Sequence, residues 1–200
     1  MGKTVEYYFS PISPWSYLGH QRFDDLARRY GATVSVKPTD LGKVFPVSGG
    51  LPLAKRAPQR QAYRMVELKR FRDYLKLPLT LQPKYFPAPA DLAAQLIIAA
   101  GHAGGADAAM RLAGAVLRGC WAEERNIADA ETLRMICAEQ KLDASSLLAA
   151  AQADAAKAEY ERNTQDAIAR GVFGAPSYVV EGEIFWGQDR LDFVERALAA

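Results

Sequence analysis

Three short segments of this 200-residue chain hold residue types and spacings that can do chemistry. Ser13-Pro14-Trp15-Ser16 sits between an alternating stretch (Val5, Tyr7, Phe9) and apolar residues at helical spacing (Leu18, Phe23, Leu26, Ala27). A helix starting there presents unpaired N–H groups and about half a positive charge. Serine cannot itself be a redox thiolate, since its hydroxyl is a far weaker acid than a thiol. It can, however, donate a hydrogen bond to a thiolate supplied by a ligand and so favour that thiol's ionised form. The same residues also read simply as an N-cap, Ser13, followed by proline at the first helical position. The second segment is Gly174-Ala175-Pro176-Ser177. A trans proline there would only open a strand, whereas a cis bond would turn the Ala175 backbone groups outward to pair with an extended peptide ligand. The third, Phe185-Trp186-Gly187-Gln188-Asp189-Arg190-Leu191, ends a strand and begins a helix. Asp189 there is either a capping carboxylate or a partner for a ligand amine, with Arg190 its surface neighbour.

The elements that position these segments follow from periodicity and breakers. Residues 3–9 form a strand, a helix runs from the Ser13-Pro14 step to Tyr30-Gly31, and Thr33–Lys37 forms a second strand closed by Pro38. An Ala-, Leu-, Arg- and Glu-rich block then predicts helices near 58–76, 90–103, 106–125, 130–141, 144–152 and 154–170, with Asp129 and Asp143 at N-cap positions. Pro78, Pro83, Pro87 and Pro89 punctuate the long connection within it. Ser177–Val180 and Ile184–Trp186 flank Glu181-Gly182 as a hairpin, and a last helix runs from about Asp189 to Ala199. A β-α-β opening and a β-β-α close around helices is the element order of an α/β, thioredoxin-like domain with a large all-helical insertion. Residues 1–40 and 171–200 would form the discontinuous sheet domain, and 41–170 the insertion.

Composition narrows the function classes. Half of the residues are hydrophobic and 24% are charged, as expected of a globular domain, and the net charge of +2 gives no overall polycation for nucleic acid or a lipid surface. Residues 55–76 carry eight basic side chains against Glu67 and Asp73, mostly a solvated helix face, with one or two positioned to steer a carboxylated substrate. His20 and His102 have no metal-ligand spacing, and Cys120 and Cys137 read as small buried apolar residues, so no metal is expected. Trp121 and Tyr160 fit core or dimer packing, while Trp15, Tyr85 and Phe86 are candidates to wall an aromatic substrate. Without a signal-peptide pattern or a long apolar run, the expectation is a cytoplasmic protein that crosses no membrane.

Taken together, Tyr8 to Gly19 (YFSPISPWSYLG), Tyr85-Phe86-Pro87, Gly171 to Ser177 (GVFGAPS) and Phe185 to Leu191 (FWGQDRL) resemble the 2-hydroxychromene-2-carboxylate isomerase family. That family is related to kappa-class glutathione transferases and to DsbA-like thioredoxin folds. The resemblance spans nearly the whole chain and implies a glutathione-dependent homodimer acting in aromatic-compound catabolism on a small aromatic carboxylate. It places the family's catalytic serine, which holds the glutathione thiolate, on Ser13, and the residue pairing with the cysteinyl backbone of glutathione on Ala175. The γ-glutamyl end would be held by Trp186, Gln188, Asp189 and Arg190. A basic residue meeting the substrate carboxylate falls on Arg60, with Lys55 and Arg56 as competitors, and Tyr85 lies on the substrate side. The family often has Asn two residues after its Phe-Pro motif, whereas Phe86-Pro87 is followed here by Ala88-Pro89, a departure on that side of the pocket. The implied reaction converts 2-hydroxychromene-2-carboxylate to trans-o-hydroxybenzylidenepyruvate. The alternatives are a kappa-like glutathione transferase or peroxidase and a non-catalytic DsbA-like binding scaffold.

Overall fold

The computed structural model describes residues 2–200. Strand β1 (Thr4–Phe9) is followed by α1 (Pro14–Arg29) and β2 (Thr33–Pro38), and β3 (Ser177–Val180), β4 (Glu183–Trp186) and α8 (Leu191–Ala199) close the chain. The sheet order is β2-β1-β3-β4, with β2 parallel to β1, β3 antiparallel to β1 and β4 antiparallel to β3. The two ends of the chain therefore build one sheet, Val5 lying opposite both Val34 and Val180. Val5, Tyr7 and Phe9 alternate onto one face and are fully buried against Phe23 and Tyr178, as the period-two pattern predicts. Tyr7 stacks on Phe9 and on Tyr178 at centroid distances of 4.6 and 5.5 Å.

Between the halves lie α2 (Leu41–Ser48), α3 (Pro58–Leu75), α4 (Asp91–Trp121), α5 (Ala130–Glu139), α6 (Ala144–Gln152) and α7 (Asp154–Ala169). Asp129 and Asp143 cap α5 and α6 by accepting the amides of Thr132 and Ser146 at 2.8 and 3.1 Å. Helix α4 packs on α1, β2, α6 and α7. The two helices expected at 90–103 and 106–125 are joined in this one element, broken at Gly105 (φ 73°), and it ends at the fully buried Trp121 rather than at 125.

Two further expectations are corrected. Helix α2, which carries Pro46 inside it, was not among the predicted helices. It forms because Asp40 accepts the Gly42 amide at 2.8 Å and Val44 is buried with Tyr8, Ala167 and Val179. The last helix begins at Leu191 rather than Asp189, since Gln188–Arg190 form a separate 3-10 turn. No helix among the described residues is long and apolar enough to cross a membrane.

Candidate active site

Local chemistry sets Ser13 first. Pro14 opens α1 without an N–H of its own, and Ser13 Oγ accepts the Ser16 amide at 3.2 Å, the arrangement of an N-cap. The Ser13 amide in turn donates to Ser10 O at 2.9 Å, and its carbonyl accepts the Tyr17 amide at 3.0 Å. With the Ser16 amide capped, the Trp15 N–H is left in the first turn with no partner among the described residues. The side chain is therefore both a cap and a hydroxyl beside an open helix N-terminus. Only 7% of Ser13 is exposed.

Folding brings the second segment against it. Ser13 Oγ lies 3.5 Å from the carbonyl oxygen of Ala175, and the Ala175-Pro176 bond is cis, as is Phe86-Pro87. The Ala175 amide has no hydrogen-bond partner among the described residues. Its neighbours are fixed: Ser177 Oγ donates to Gly174 O at 2.8 Å and the Gly187 amide donates to Pro176 O at 2.9 Å. An unpaired backbone edge is thus held next to an N-terminal hydroxyl, an arrangement suited to an extended peptide thiol.

The third segment borders this edge. Trp186 pairs with Ser177 across the hairpin, is half exposed and packs edge-on against Phe173 at 4.8 Å. A side chain at position 174 would place its Cβ 2.5 Å from Trp186 Nε1, so only glycine admits the ring there. Asp189 is partly exposed and pairs with Arg190 at 2.6 Å. It does not cap α8, since no side chain accepts that helix's first amides. Gln188 is turned away from these groups: it is 1% exposed, and its Oε1 accepts from Arg22 at 2.8 Å. Its backbone carries the turn, but its side chain does not face the open edge.

The basic candidates divide by exposure. Lys55 and Arg60 are exposed, while Arg56 is partly buried, donates to Leu51 O at 2.8 Å and lies over the Phe45 ring. Tyr85 is exposed, with the Lys84 ammonium 5.1 Å from its ring centre. Sequence reasoning did not single out Arg64, which sits over both Phe86 and Trp121. Its signal was available only as one more charge in a basic run. Cys120 and Cys137 are buried, with burial pushing their thiols up to about 12 and about 11, so neither offers a thiolate at neutral pH. A concavity of about 460 Å³ between β2 and α7 is lined by none of the candidate residues and holds the Lys37–Asp166 ion pair.

Comparison with known proteins places the chain among relatives of the same architecture. The family described as DSBA-like thioredoxin domain matches residues 4–199. A protein of Sphingobium xenophagum named 2-hydroxychromene-2-carboxylate isomerase is 34% identical over 199 residues, 99% of each chain. A solved structure of 2-hydroxychromene-2-carboxylate isomerase superposes with a TM-score of 0.81 at 29% identity, covering 98% of this chain and 94% of that one. Glutathione S-transferase kappa 1 of Caenorhabditis elegans is 35% identical over 82 residues, 40% of this chain and 36% of its own.

Proposed function

Because this chain belongs to the DsbA-like thioredoxin family and, within it, to the 2-hydroxychromene-2-carboxylate isomerase family, we propose that it is a glutathione-dependent isomerase of a small aromatic carboxylate. Its isomerase relatives indicate an enzyme. The finer reading is conversion of 2-hydroxychromene-2-carboxylate to trans-o-hydroxybenzylidenepyruvate. The observation that carries it is the Ser13 hydroxyl beside the open α1 N-terminus and the Ala175 backbone.

The donor set fits a tripeptide thiol: an unpaired amide at Ala175 for its main chain, a hydroxyl and the Trp15 N–H for sulfur, and the Asp189 carboxylate for its α-amino end. Bound glutathione would supply a thiolate nucleophile that adds to an unsaturated carbon, frees rotation about that bond and leaves again. Ser13 would donate a hydrogen bond to the sulfur, and the α1 N-terminus would add its partial positive charge, both favouring the ionised form. Ala175 would fix the cysteinyl backbone so that the sulfur points at Ser13, while Trp186, Asp189, Arg190 and the Gln188 turn would hold the γ-glutamyl end. Tyr85 would border the substrate ring, with Arg60, Lys55 and Arg56 supplying positive charge for its carboxylate. The kappa transferase relative supports the choice of thiol. The proposal includes a homodimer, to be checked by sedimentation.

The test is a thermal-unfolding titration with reduced glutathione followed by a chromene isomerisation assay. A ligand bound only by the native state raises the unfolding temperature with concentration. A dose-dependent rise together with glutathione-dependent isomerisation is expected. No shift at millimolar glutathione would leave a binding scaffold as the better account.

A further inference from the structure

The basic run on α3 is not uniform. Lys69, Arg70 and Arg72 spend their charge on carboxylates of their own helix, Asp73 and Glu67, at 2.7 to 3.0 Å. Arg64 does not. No carboxylate among the described residues lies within ion-pair distance of it, and its one polar contact is Met65 Sδ at 3.8 Å. It is partly buried, its guanidinium 5.4 Å from the Phe86 ring centre and 5.8 Å from that of Trp121, and those two rings are 4.8 Å apart. Arg56, whose charge acts on Arg64, is also a cation without a carboxylate partner among the described residues. Burial, and secondarily Arg56, lower the Arg64 guanidinium to about 10, which leaves it charged at neutral pH. A cation withdrawn from water, with a second cation rather than an anion beside it, has an unmet electrostatic demand.

This cation is linked to the candidate active site through Trp121. The Trp121 Nε1–H donates to the carbonyl of Ile12, the residue before Ser13, at 3.3 Å. One indole thus touches the chain entering the α1 N-terminus and also carries the Arg64 guanidinium on its ring.

We propose that Arg64 is a specificity-determining residue that binds the carboxylate of the aromatic substrate, with Phe86 and Trp121 as its apolar support and Arg56 adding positive charge. The assignment rests on the isomerase reading and deepens it. A planar guanidinium held on aromatic faces can meet a carboxylate with two parallel N–H donors, which lysine cannot. The same chemistry would serve the glycyl carboxylate of glutathione, so the test separates the two sources.

Isothermal titration calorimetry with trans-cinnamate, cinnamyl alcohol and reduced glutathione would be run on wild type, Arg64→Met and Lys69→Met, with circular dichroism as the check on folding. In Arg64→Met, cinnamate affinity is expected to fall roughly tenfold or more, the size of a lost charged hydrogen bond. Cinnamyl alcohol and glutathione should bind that variant as they bind wild type, and Lys69→Met should stay within about twofold. In the isomerisation assay Arg64→Met should raise KM more than it lowers kcat, and Arg64→Lys should recover only part of the loss. Unchanged cinnamate affinity in Arg64→Met, or no binding of cinnamate by wild type, would overturn the proposal. A loss confined to glutathione would assign the guanidinium to the tripeptide and overturn the substrate role. Arg64-dependent cinnamate binding without isomerisation would uphold the anion subsite and reject the isomerase reading instead.

Discussion

The hydroxyl of Ser13 stands 3.5 Å from the carbonyl oxygen of Ala175, although 162 positions separate them in the chain. One end of the contact is a helix N-terminus and the other an unpaired backbone edge, so a single side chain couples the two surfaces on which the proposed function rests.

Ser13 caps α1, the proposed function adds a second role as donor to a ligand thiolate, and two substitutions divide the two. Ser13→Ala removes both the thiolate donor and the cap, costing about 1 kcal/mol of stability, whereas Ser13→Gly loses only a few tenths because glycine is tolerated at N-caps. Both should lower glutathione-dependent turnover by about an order of magnitude or more. Near-normal turnover in either variant, with circular dichroism unchanged, would remove Ser13 from the chemistry.

Asp189 is partly exposed and, among the described residues, pairs only with its neighbour Arg190. Exposed pairs of this kind contribute about 0–1 kcal/mol, so Asp189→Ala should unfold at nearly the wild-type temperature. The rise in unfolding temperature produced by glutathione should nonetheless shrink in that variant. An undiminished rise would exclude Asp189 from the proposed glutathione site.

Gly187 adopts φ 110° and ψ 146°, a region closed to side chains, and a Cβ there would lie 2.5 Å from Asp189 Oδ1. Gly187→Ala should therefore cost roughly 1–3 kcal/mol and displace the turn that carries Asp189. Thermal unfolding and glutathione calorimetry should both register the change. A variant as stable as wild type would contradict this account of the turn.

His20 governs an acid-side prediction. It is buried, with Nε2 2.9 Å from Met110 O and Nδ1 3.2 Å from the Tyr7 hydroxyl. As the Met110 carbonyl can only accept, Nε2 carries the proton and Nδ1 accepts from Tyr7. Burial lowers its pKa below 6.5, partly offset by the Met110 hydrogen bond and by Asp24. As pH falls through about 6.5 the unfolded chain takes up a proton that the native imidazole still refuses, so stability declines from there down to the native pKa. Urea unfolding at several pH values should show this slope, and His20→Gln should flatten it. An equal slope in the variant would assign the effect to other groups.

The strands, α1 with its Ser13 cap, the Asp129 and Asp143 caps and the Glu181-Gly182 hairpin were legible in the sequence. Each rests on contacts within a few residues: period-two or helical spacing, a side chain reaching an amide three positions on, or positive φ at a turn (51° at Glu181 and 88° at Gly182). The sequence by itself therefore determined where these local elements and caps form and in what order they run. Only the tertiary structure decided which distant groups meet around those segments. It turned Gln188 inward to Arg22, stabilised α2 despite Pro46 by burying Val44, and set Asp189 outside the cap of α8. It also singled out Arg64 from a run of eight basic residues, because partial burial of its guanidinium on the Phe86 and Trp121 rings depends on how distant parts of the chain pack. Such outcomes depend on packing between residues far apart in the chain, and local spacing carries no information about which distant groups will meet.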